Sequence, residues 1–228
     1  MTRRFGSSLV VSVMVALTVM IAPGGARAAD TLIQPGAEVF SSVGQCTLNY
    51  VFRDGSTLYI GTAGHCSEHV GDVMTDANQA RIGTVAFRIQ SGDDDFTLIR
   101  IDPARYGEVN PSVRSWGGPT GFTVSSETNL GDILLLSGYG VGFSLLDQTR
   151  GRPGILADDT PTAFYAELPA IFGDSGGPVI EASTHKALGI VSGIGITIPP
   201  STLLGPTVEG TLKTLAAHGW PVQLVTAG

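Results

Sequence analysis

The stretch Gly173–Pro178 has the sequence Gly-Asp-Ser-Gly-Gly-Pro, which places a serine between glycines and directly after an acidic residue. A catalytic serine needs a base to accept its proton and fixed donors to stabilise an oxyanion, because its hydroxyl is otherwise a weak nucleophile. Glycines allow a turn tight enough for the N–H groups of Gly173 and Ser175 to point at one spot. The same glycines are also typical of an ordinary surface turn, so the rest of the chain has to decide between the two interpretations.

The first 28 residues have the pattern of an export signal. Arg3 and Arg4 precede an apolar run, Leu9–Ala22, that is short for a membrane-spanning helix, and Ala26–Ala28 (Ala-Arg-Ala) matches a cleavage site. A membrane anchor is the alternative, and the Pro-Gly-Gly that interrupts the segment disfavours it. We therefore predict a signal peptide at 1–28 and a secreted, extracellular protein.

The composition indicates a folded, acidic protein. The chain has 228 residues, 43% of them hydrophobic, with 31 glycines and 13 prolines, which suits one β-rich domain or two small fused barrels. Removing the three arginines of the signal takes the formal net charge from −7 to −10. We therefore expect no nucleic-acid partner and no stable membrane association after signal removal.

Short apolar runs separated by Gly, Asp and Pro predict an all-β fold. The clearest hairpin has an Asp-Gly turn between strands at Cys46–Phe52 and Leu58–Thr62. One late helix is predicted at Val208–His218, with Gly219 as its stop. Further strands are predicted at Arg81–Ile89, Phe96–Ile101, Ile133–Leu136, Ala163–Ala166, Pro178–Ile180 and Ala187–Val191.

Three segments together resemble the chymotrypsin-like serine proteases (trypsin fold, S1 type). They are Thr62–Cys66 (Thr-Ala-Gly-His-Cys), Asp95–Ile99 (Asp-Phe-Thr-Leu-Ile) and Gly173–Pro178, and the order His, Asp, Ser makes the match specific. The resemblance covers nearly the whole chain after the signal. The short length and the two cysteines are most similar to secreted bacterial, actinobacterial members.

This resemblance implies two packed antiparallel six-stranded β-barrels with a C-terminal α-helix. The glycine- and proline-rich connection at Pro103–Gly121 is the predicted boundary. We place a first half at 29–117, carrying His65 and Asp95, and a second half at 118–228, carrying Ser175 and the substrate pocket.

The resemblance also assigns roles to residues. His65 is the expected general base, Asp95 holds its imidazole, Ser175 attacks the scissile carbonyl, and the N–H groups of Gly173 and Ser175 form the oxyanion hole. The expected reaction is peptide hydrolysis through an acyl-enzyme, with a polypeptide substrate, a protein inhibitor as the other partner to consider, and no cofactor or metal. We expect a monomer. The neighbouring Asp93 and Asp94 are interpreted as solvated carboxylates or a weak cation site.

Two interpretations of Cys46 and Cys66 remain open from the residues alone. They could bind a metal together with His65 and His69, or they could form a disulfide, which is the simpler interpretation for an exported protein. The family resemblance also implies the disulfide.

Asp174 needs a partner if it is buried, because an unpaired buried carboxylate is very costly. In the family the partner is a processed N-terminal amine or a basic side chain. No obvious activation segment precedes the first strand, so we favour Arg150 or Arg152; two solvated loop arginines are the alternative.

Substrate-binding residues are assigned by their position in the family. Pro169 is expected at the base of the primary pocket, and Ser192, Gly193 and Ile194 along the edge that pairs with the substrate main chain. Phe172 is a further expected substrate-binding residue. Pro169 carries no charge, and Ile194 stands where open pockets usually have glycine. Val191 supplies no histidine of the kind found in relatives specific for acidic residues. We therefore predict a preference for small or medium apolar residues.

Two other functions remain to be tested. An esterase of the α/β-hydrolase fold would share the Gly-x-Ser-x-Gly pattern, but it requires a helix directly after Ser175 and a histidine downstream. A trypsin-fold binding protein without turnover is the second alternative, which the unusual Ile194 leaves open.

Overall fold

The computed structural model describes residues 32–140, 151–195 and 202–227. Within these ranges it contains fifteen short strands. Their bounds are β1 Glu38–Ser41, β2 Gly44–Thr47, β3 Val51–Asp54, β4 Thr57–Thr62, β5 Val73–Thr75, β6 Arg81–Ser91, β7 Asp94–Ile101, β8 Ile133–Ser137, β9 Gly151–Asp159, β10 Ala163–Glu167, β11 Pro178–Glu181, β12 Ala187–Ile190, β13 Gly193–Gly195, β14 Thr202–Pro206 and β15 Gln223–Leu224.

One α-helix, α1, spans Val208–Ala217, and the prediction of this late helix is confirmed. Thr207 caps its start, since the hydroxyl Oγ1 accepts a hydrogen bond from the Gly210 N–H at 3.0 Å. The helix ends before Gly219, whose φ of +83° is a conformation that glycine adopts without strain. Two short 3-10 helices lie at Gly64–Cys66 and Pro103–Glu108.

The strands form two antiparallel sheets, one built mainly from each half. The first sheet has the order β15-β3-β4-β7-β6-β5-β1-β2, and the second has the order β12-β11-β8-β9-β10-β14-β13. Both sheets curl into half-barrels. The predicted all-β double-barrel class is therefore confirmed, with eight and seven strands among the described residues where six each were expected. The boundary at residue 117 stays a prediction, and β15 from the chain end joins the first sheet.

The two halves share a hydrophobic core. One of its clusters combines Phe52 and Phe96 of the first half with Leu135, Ile180 and Leu215 of the second. Burying such side chains is the main favourable term in folding.

The side chain of Tyr50 also joins the halves, because it is fully buried and its hydroxyl lies 2.7 Å from the Val179 carbonyl oxygen and 3.1 Å from that of Gly189. Burial raises the pKa of this phenol well above its ordinary value.

The prediction of one continuous strand at Cys46–Phe52 is wrong. Residues 48–50 belong to no strand, and they separate β2, which pairs with β1, from β3, which pairs with β4. The alternation of residue types continues through the break, so the sequence pattern did not reveal the change of partner. The predicted hairpin after β3 is confirmed, with Asp54 opposite Thr57 and Gly55 at a φ of +55°.

The α/β-hydrolase alternative is also wrong. That fold requires a helix directly after the serine, whereas strand β11 follows Ser175 within three residues and pairs with β8 and β12. Pro178 lacks a backbone N–H, which fits the first position of a strand.

Candidate active site

His65 lies in the 3-10 turn that follows β4, an interior strand of the first sheet. The guanidinium Nε of Arg88, on β6, donates to the carbonyl oxygens of Gly64 at 2.9 Å and Ser67 at 2.8 Å, which flank the histidine on both sides. Residue 64 must be glycine, because a Cβ there would lie 2.1 Å from the carbonyl oxygen of Ile89. These contacts fix the backbone that presents the imidazole.

Asp95, the second residue of β7, receives three hydrogen bonds. Its Oδ2 lies 2.7 Å from Nδ1 of His65 and 2.5 Å from the hydroxyl Oγ of Ser192, and its Oδ1 accepts from the His65 backbone N–H at 2.9 Å. Burial alone would raise the pKa of this carboxyl, but the hydrogen bonds from the His65 ring and from Ser192 outweigh it, so the pKa lies below its ordinary value. Asp95 is therefore ionised near neutral pH.

The charge on Asp95 decides which nitrogen of His65 carries the proton. An ionised carboxylate only accepts hydrogen bonds, so Nδ1 of the neutral imidazole must be the donor. The other ring nitrogen, Nε2, is then an acceptor. The side chain of His65 is 34% exposed, so this acceptor can be reached from solvent. Such an imidazole can take a proton from a hydroxyl group.

Ser175 lies in a turn that the first half of the chain holds in place. The Thr47 backbone N–H donates to the Ser175 carbonyl oxygen at 2.8 Å, and the Thr47 hydroxyl donates to the Gly173 carbonyl oxygen at 2.7 Å. Gly173 and Gly176 have φ angles of +99° and +86°, which explains the glycines that flank the serine. At position 176 a Cβ would also lie 2.3 Å from Oγ1 of Thr62.

Two backbone donors of this turn have no acceptor among the described residues. Across the described ranges, neither the Gly173 N–H nor the Ser175 N–H donates a hydrogen bond. The turn is therefore equipped to bind an external oxygen atom, as an oxyanion hole would.

His65 and the Ser175 turn both lie close to the Cys46–Cys66 pair. The carbonyl oxygen of Ser175 lies 3.8 Å from Sγ of Cys66, and a cysteine sulfur lies within 4.8 Å of a ring nitrogen of His65. In the part of the chain that is described, no hydrogen bond joins the imidazole to the Ser175 hydroxyl. In free enzymes this contact is often long and tightens only when substrate is bound.

Cys46 and Cys66 form a disulfide, with their Cα atoms 6.2 Å apart, so that prediction is confirmed. Both sulfurs are used in this bond, and the alternative of a thiolate metal site is therefore wrong. The disulfide ties the His65 turn to β2, which also carries Thr47. It closes a sequence separation of 20 residues, which is worth about 3 kcal/mol in the chain-entropy model.

Asp174 is completely buried and pairs with Arg152 on β9. The guanidinium donates to both carboxylate oxygens, with 2.7 Å between Nη1 and Oδ2. The N–H groups of Gly140 and Ile171 donate to the same carboxylate at 2.8 and 2.9 Å. Of the two candidate arginines, Arg152 is thus the partner, and Arg150 lies outside the described residues. This ion pair fixes Asp174, which lies between Gly173 and Ser175 in the chain.

The residues assigned to substrate binding differ in exposure and in secondary structure. Pro169 is exposed, the side chain of Phe172 is 82% exposed, and Gly193 and Ile194 lie in β13, which pairs with β14. Ser192 has a contact that the sequence did not predict, because its hydroxyl donates to Asp95. A serine before a short strand carries no signal for this partner in the sequence.

Asp93 is exposed and Asp94 is half-buried, and each carboxylate also accepts a hydrogen bond from a hydroxyl group of the second half. Asp93 Oδ2 accepts from the Thr162 hydroxyl at 2.9 Å, and Asp94 Oδ1 accepts from the Thr214 hydroxyl at 3.0 Å. Within the described ranges, the one grouping of metal-ligating side chains is the disulfide pair with His65.

Replacing Arg152 by alanine should lower the free energy of unfolding by about 3–5 kcal/mol, because it leaves a buried carboxylate without its counter-charge. Chemical denaturation measures this change, and Arg53→Ala, at an exposed position, is the matched control. Equal stability of the two variants would contradict the importance of the Arg152–Asp174 pair.

The depressed pKa of Asp95 makes part of the stability depend on pH. The contribution is fully present above the ordinary aspartate pKa of 3.8 and is lost as the pH falls through the lower pKa of the folded state. Urea unfolding at a series of pH values should therefore show that the difference between wild type and Asp95→Asn narrows below about pH 4. A difference that is constant over this range would contradict the assignment.

Comparison with solved structures places this geometry among known proteins; no protein-family model matches the chain. Thermobifida fusca protease A matches with a TM-score of 0.62 and 26% identity, covering 86% of this chain and 99% of that one. A glutamic acid-specific serine protease matches with a TM-score of 0.63 and 18% identity, over 85% and 100% of the two chains. Cellulomonas bogoriensis chymotrypsin matches with a TM-score of 0.62 and 20% identity, covering 86% of this chain and 99% of that one. The resemblance carried by the three motifs is thus confirmed, because the solved structures that this chain resembles over most of its length are bacterial chymotrypsin-like serine proteases.

Proposed function

We propose that this protein is a secreted serine endopeptidase that hydrolyses peptide bonds with His65, Asp95 and Ser175. The observation that carries the proposal is the 2.7 Å contact between Nδ1 of His65 and the buried carboxylate of Asp95. This contact leaves Nε2 of His65 as the proton acceptor. The two unbonded N–H groups of the Ser175 turn support the same assignment.

In the proposed first step, the Ser175 Oγ attacks the scissile carbonyl carbon while its proton moves to Nε2 of His65. The former carbonyl oxygen becomes negative and is bound by the N–H groups of Gly173 and Ser175. The C–N bond then breaks, and the leaving amine takes the proton from the imidazolium. Asp95 stabilises the positive ring that exists between these two transfers.

The second step returns the protein to its starting state. A water molecule attacks the acyl-enzyme carbonyl and gives its proton to Nε2 of His65. The bond to Ser175 Oγ breaks, the serine recovers a proton, and the acid product leaves. The disulfide and the Arg152–Asp174 pair are expected to keep the donors aligned throughout.

For the substrate we propose a polypeptide with a small or medium apolar residue before the scissile bond. In the second sheet as described, β13 is the terminal strand and pairs only with β14. An extended peptide could therefore pair with the residues 192–194 through its main chain. The exposed ring of Phe172 and the half-buried Ile194 offer apolar contacts to the side chain.

The proposal of secretion rests on the N-terminal signal pattern and on the disulfide, which is typical of exported proteins. The described part of the chain has no helix of sufficient length and hydrophobicity to span a bilayer.

A binding protein of the same fold is the second candidate. It is favoured by Ile194 at the substrate edge. A fluorophosphonate probe separates the two functions, because only a serine activated by a base reacts with it rapidly.

We expect the probe to label the wild-type protein at Ser175 and to leave Ser175→Ala unlabelled. On a peptide substrate, Ser175→Ala and His65→Ala should each lower kcat by about 10⁶-fold, and the double variant should be hardly slower, because the residues act as a unit. His69→Ala, at an exposed histidine, is the control. Labelling that persists in Ser175→Ala, or additive losses in the double variant, would contradict the triad.

Cleavage of a peptide library should favour small or medium apolar residues before the scissile bond. Ile194→Gly should open the pocket and extend cleavage to larger apolar residues, which the ratio of kcat/KM values for phenylalanine and alanine substrates measures. Dominant cleavage after arginine would refute the assignment of the pocket.

A further inference from the structure

Three consecutive carboxylates of the first half accept hydrogen bonds from hydroxyl groups of the second half. The carboxylates belong to Asp93–Asp95, at the tip of the hairpin formed by β6 and β7, where Gly92 has a φ of +60°. The donors lie on three separate elements: the turn between β9 and β10, the residue before β13, and helix α1. The pairs are Asp93 with Thr162 at 2.9 Å, Asp94 with Thr214 at 3.0 Å, and Asp95 with Ser192 at 2.5 Å.

This arrangement matters because the proposed reaction needs groups from both halves. His65 and Asp95 come from the first half and Ser175 from the second, so the hairpin tip must keep a fixed place relative to the second half. A misplacement of about 1 Å can cost about 10²-fold in rate. Contacts that cross between the halves beside Asp95 are therefore well placed to control alignment.

The Asp94–Thr214 contact is the strongest candidate among those outside the triad. The side chains of Asp94 and Thr214 are half-buried, whereas those of Asp93 and Thr162 are exposed. Water therefore competes for the hydrogen bond between Asp93 and Thr162. Thr214 also lies on a well-anchored helix, since α1 is capped by Thr207 and the next residue, Leu215, is only 1% exposed. The Thr214 hydroxyl is thus a fixed donor. It lies far in sequence from all three residues of the proposed triad.

We propose that Asp94 and Thr214 are positioning residues, which hold the hairpin tip that carries Asp95 against helix α1 and so align the imidazole of His65 with Ser175. Neither residue contacts substrate in this role. The inference rests on the proposed function, because it assigns the pair an effect on the activation of Ser175.

The test is the rate of fluorophosphonate labelling of the full chain. Thr214→Val removes the hydroxyl and keeps the shape, and we expect labelling to be about 10-fold slower, with kcat on a peptide lowered and KM unchanged, within the range that misplacement costs. Thr214→Ser keeps the hydroxyl and should label at close to the wild-type rate. Thr128→Val is the matched control, because it removes a hydroxyl that donates at 2.9 Å to Asp159 within the second half.

The same contact can be probed from its other side. Asp94→Ala should slow labelling as Thr214→Val does, while Asp94→Asn retains an acceptor oxygen and should stay near the wild-type rate. If Thr214→Val does not fold, the two Asp94 variants still test whether the contact affects the rate of labelling.

Two results would overturn the inference. One is a wild-type rate of fluorophosphonate labelling in folded Thr214→Val and Asp94→Ala, even if their melting temperatures are lower. The contact would then contribute to stability alone and not to the alignment of the triad. The other is a Thr214→Ser variant as slow as Thr214→Val. A wrong assignment of the triad would give a different result, because labelling would then persist in Ser175→Ala.

Discussion

The carboxylate of Asp95 joins the two halves of the molecule through hydrogen bonds at the candidate active site. It accepts from the ring and backbone of His65 in the first half and from the hydroxyl of Ser192 in the second. Removing a carboxylate from water is costly unless several donors replace the water, and here three donors do so. The orientation of the imidazole, and with it any proton transfer from Ser175, depends on this cluster.

Ionic groups elsewhere in the protein follow the same principle. Asp174 is a buried residue of the Ser175 turn. Its charge is balanced by Arg152, and two backbone N–H groups donate hydrogen bonds to it. Asp76, which is also fully buried, accepts from Arg105 at 2.7 Å. Each carboxylate holds a turn in one conformation, because moving the turn would leave the charge unpaired. In the Ser175 turn this rigidity holds the N–H groups of Gly173 and Ser175 in fixed positions.

The sequence predicted those features that depend on local or strongly specific patterns. The order of the three motifs gave the fold, the Asp-Gly turn gave a hairpin, and the apolar periodicity after Val208 gave the helix. Arg150 or Arg152 could be named as the partner of Asp174 because a buried carboxylate requires a cation, but the sequence did not distinguish between the two. The contacts of Ser192, Asp93 and Asp94 could not be predicted, since a hydroxyl and a carboxylate far apart in sequence leave no pattern when they pair. The strand break after Thr47 was missed because residue alternation does not reveal which strand is the partner.

The most direct test of the central claim is a crystal structure of the protein after reaction with a fluorophosphonate. The account predicts a covalent bond to Oγ of Ser175, with the phosphonyl oxygen about 3 Å from the N–H nitrogens of Gly173 and Ser175 and with Nε2 of His65 facing the modified oxygen. An adduct on another residue, or a phosphonyl oxygen that points away from both N–H groups, would contradict it.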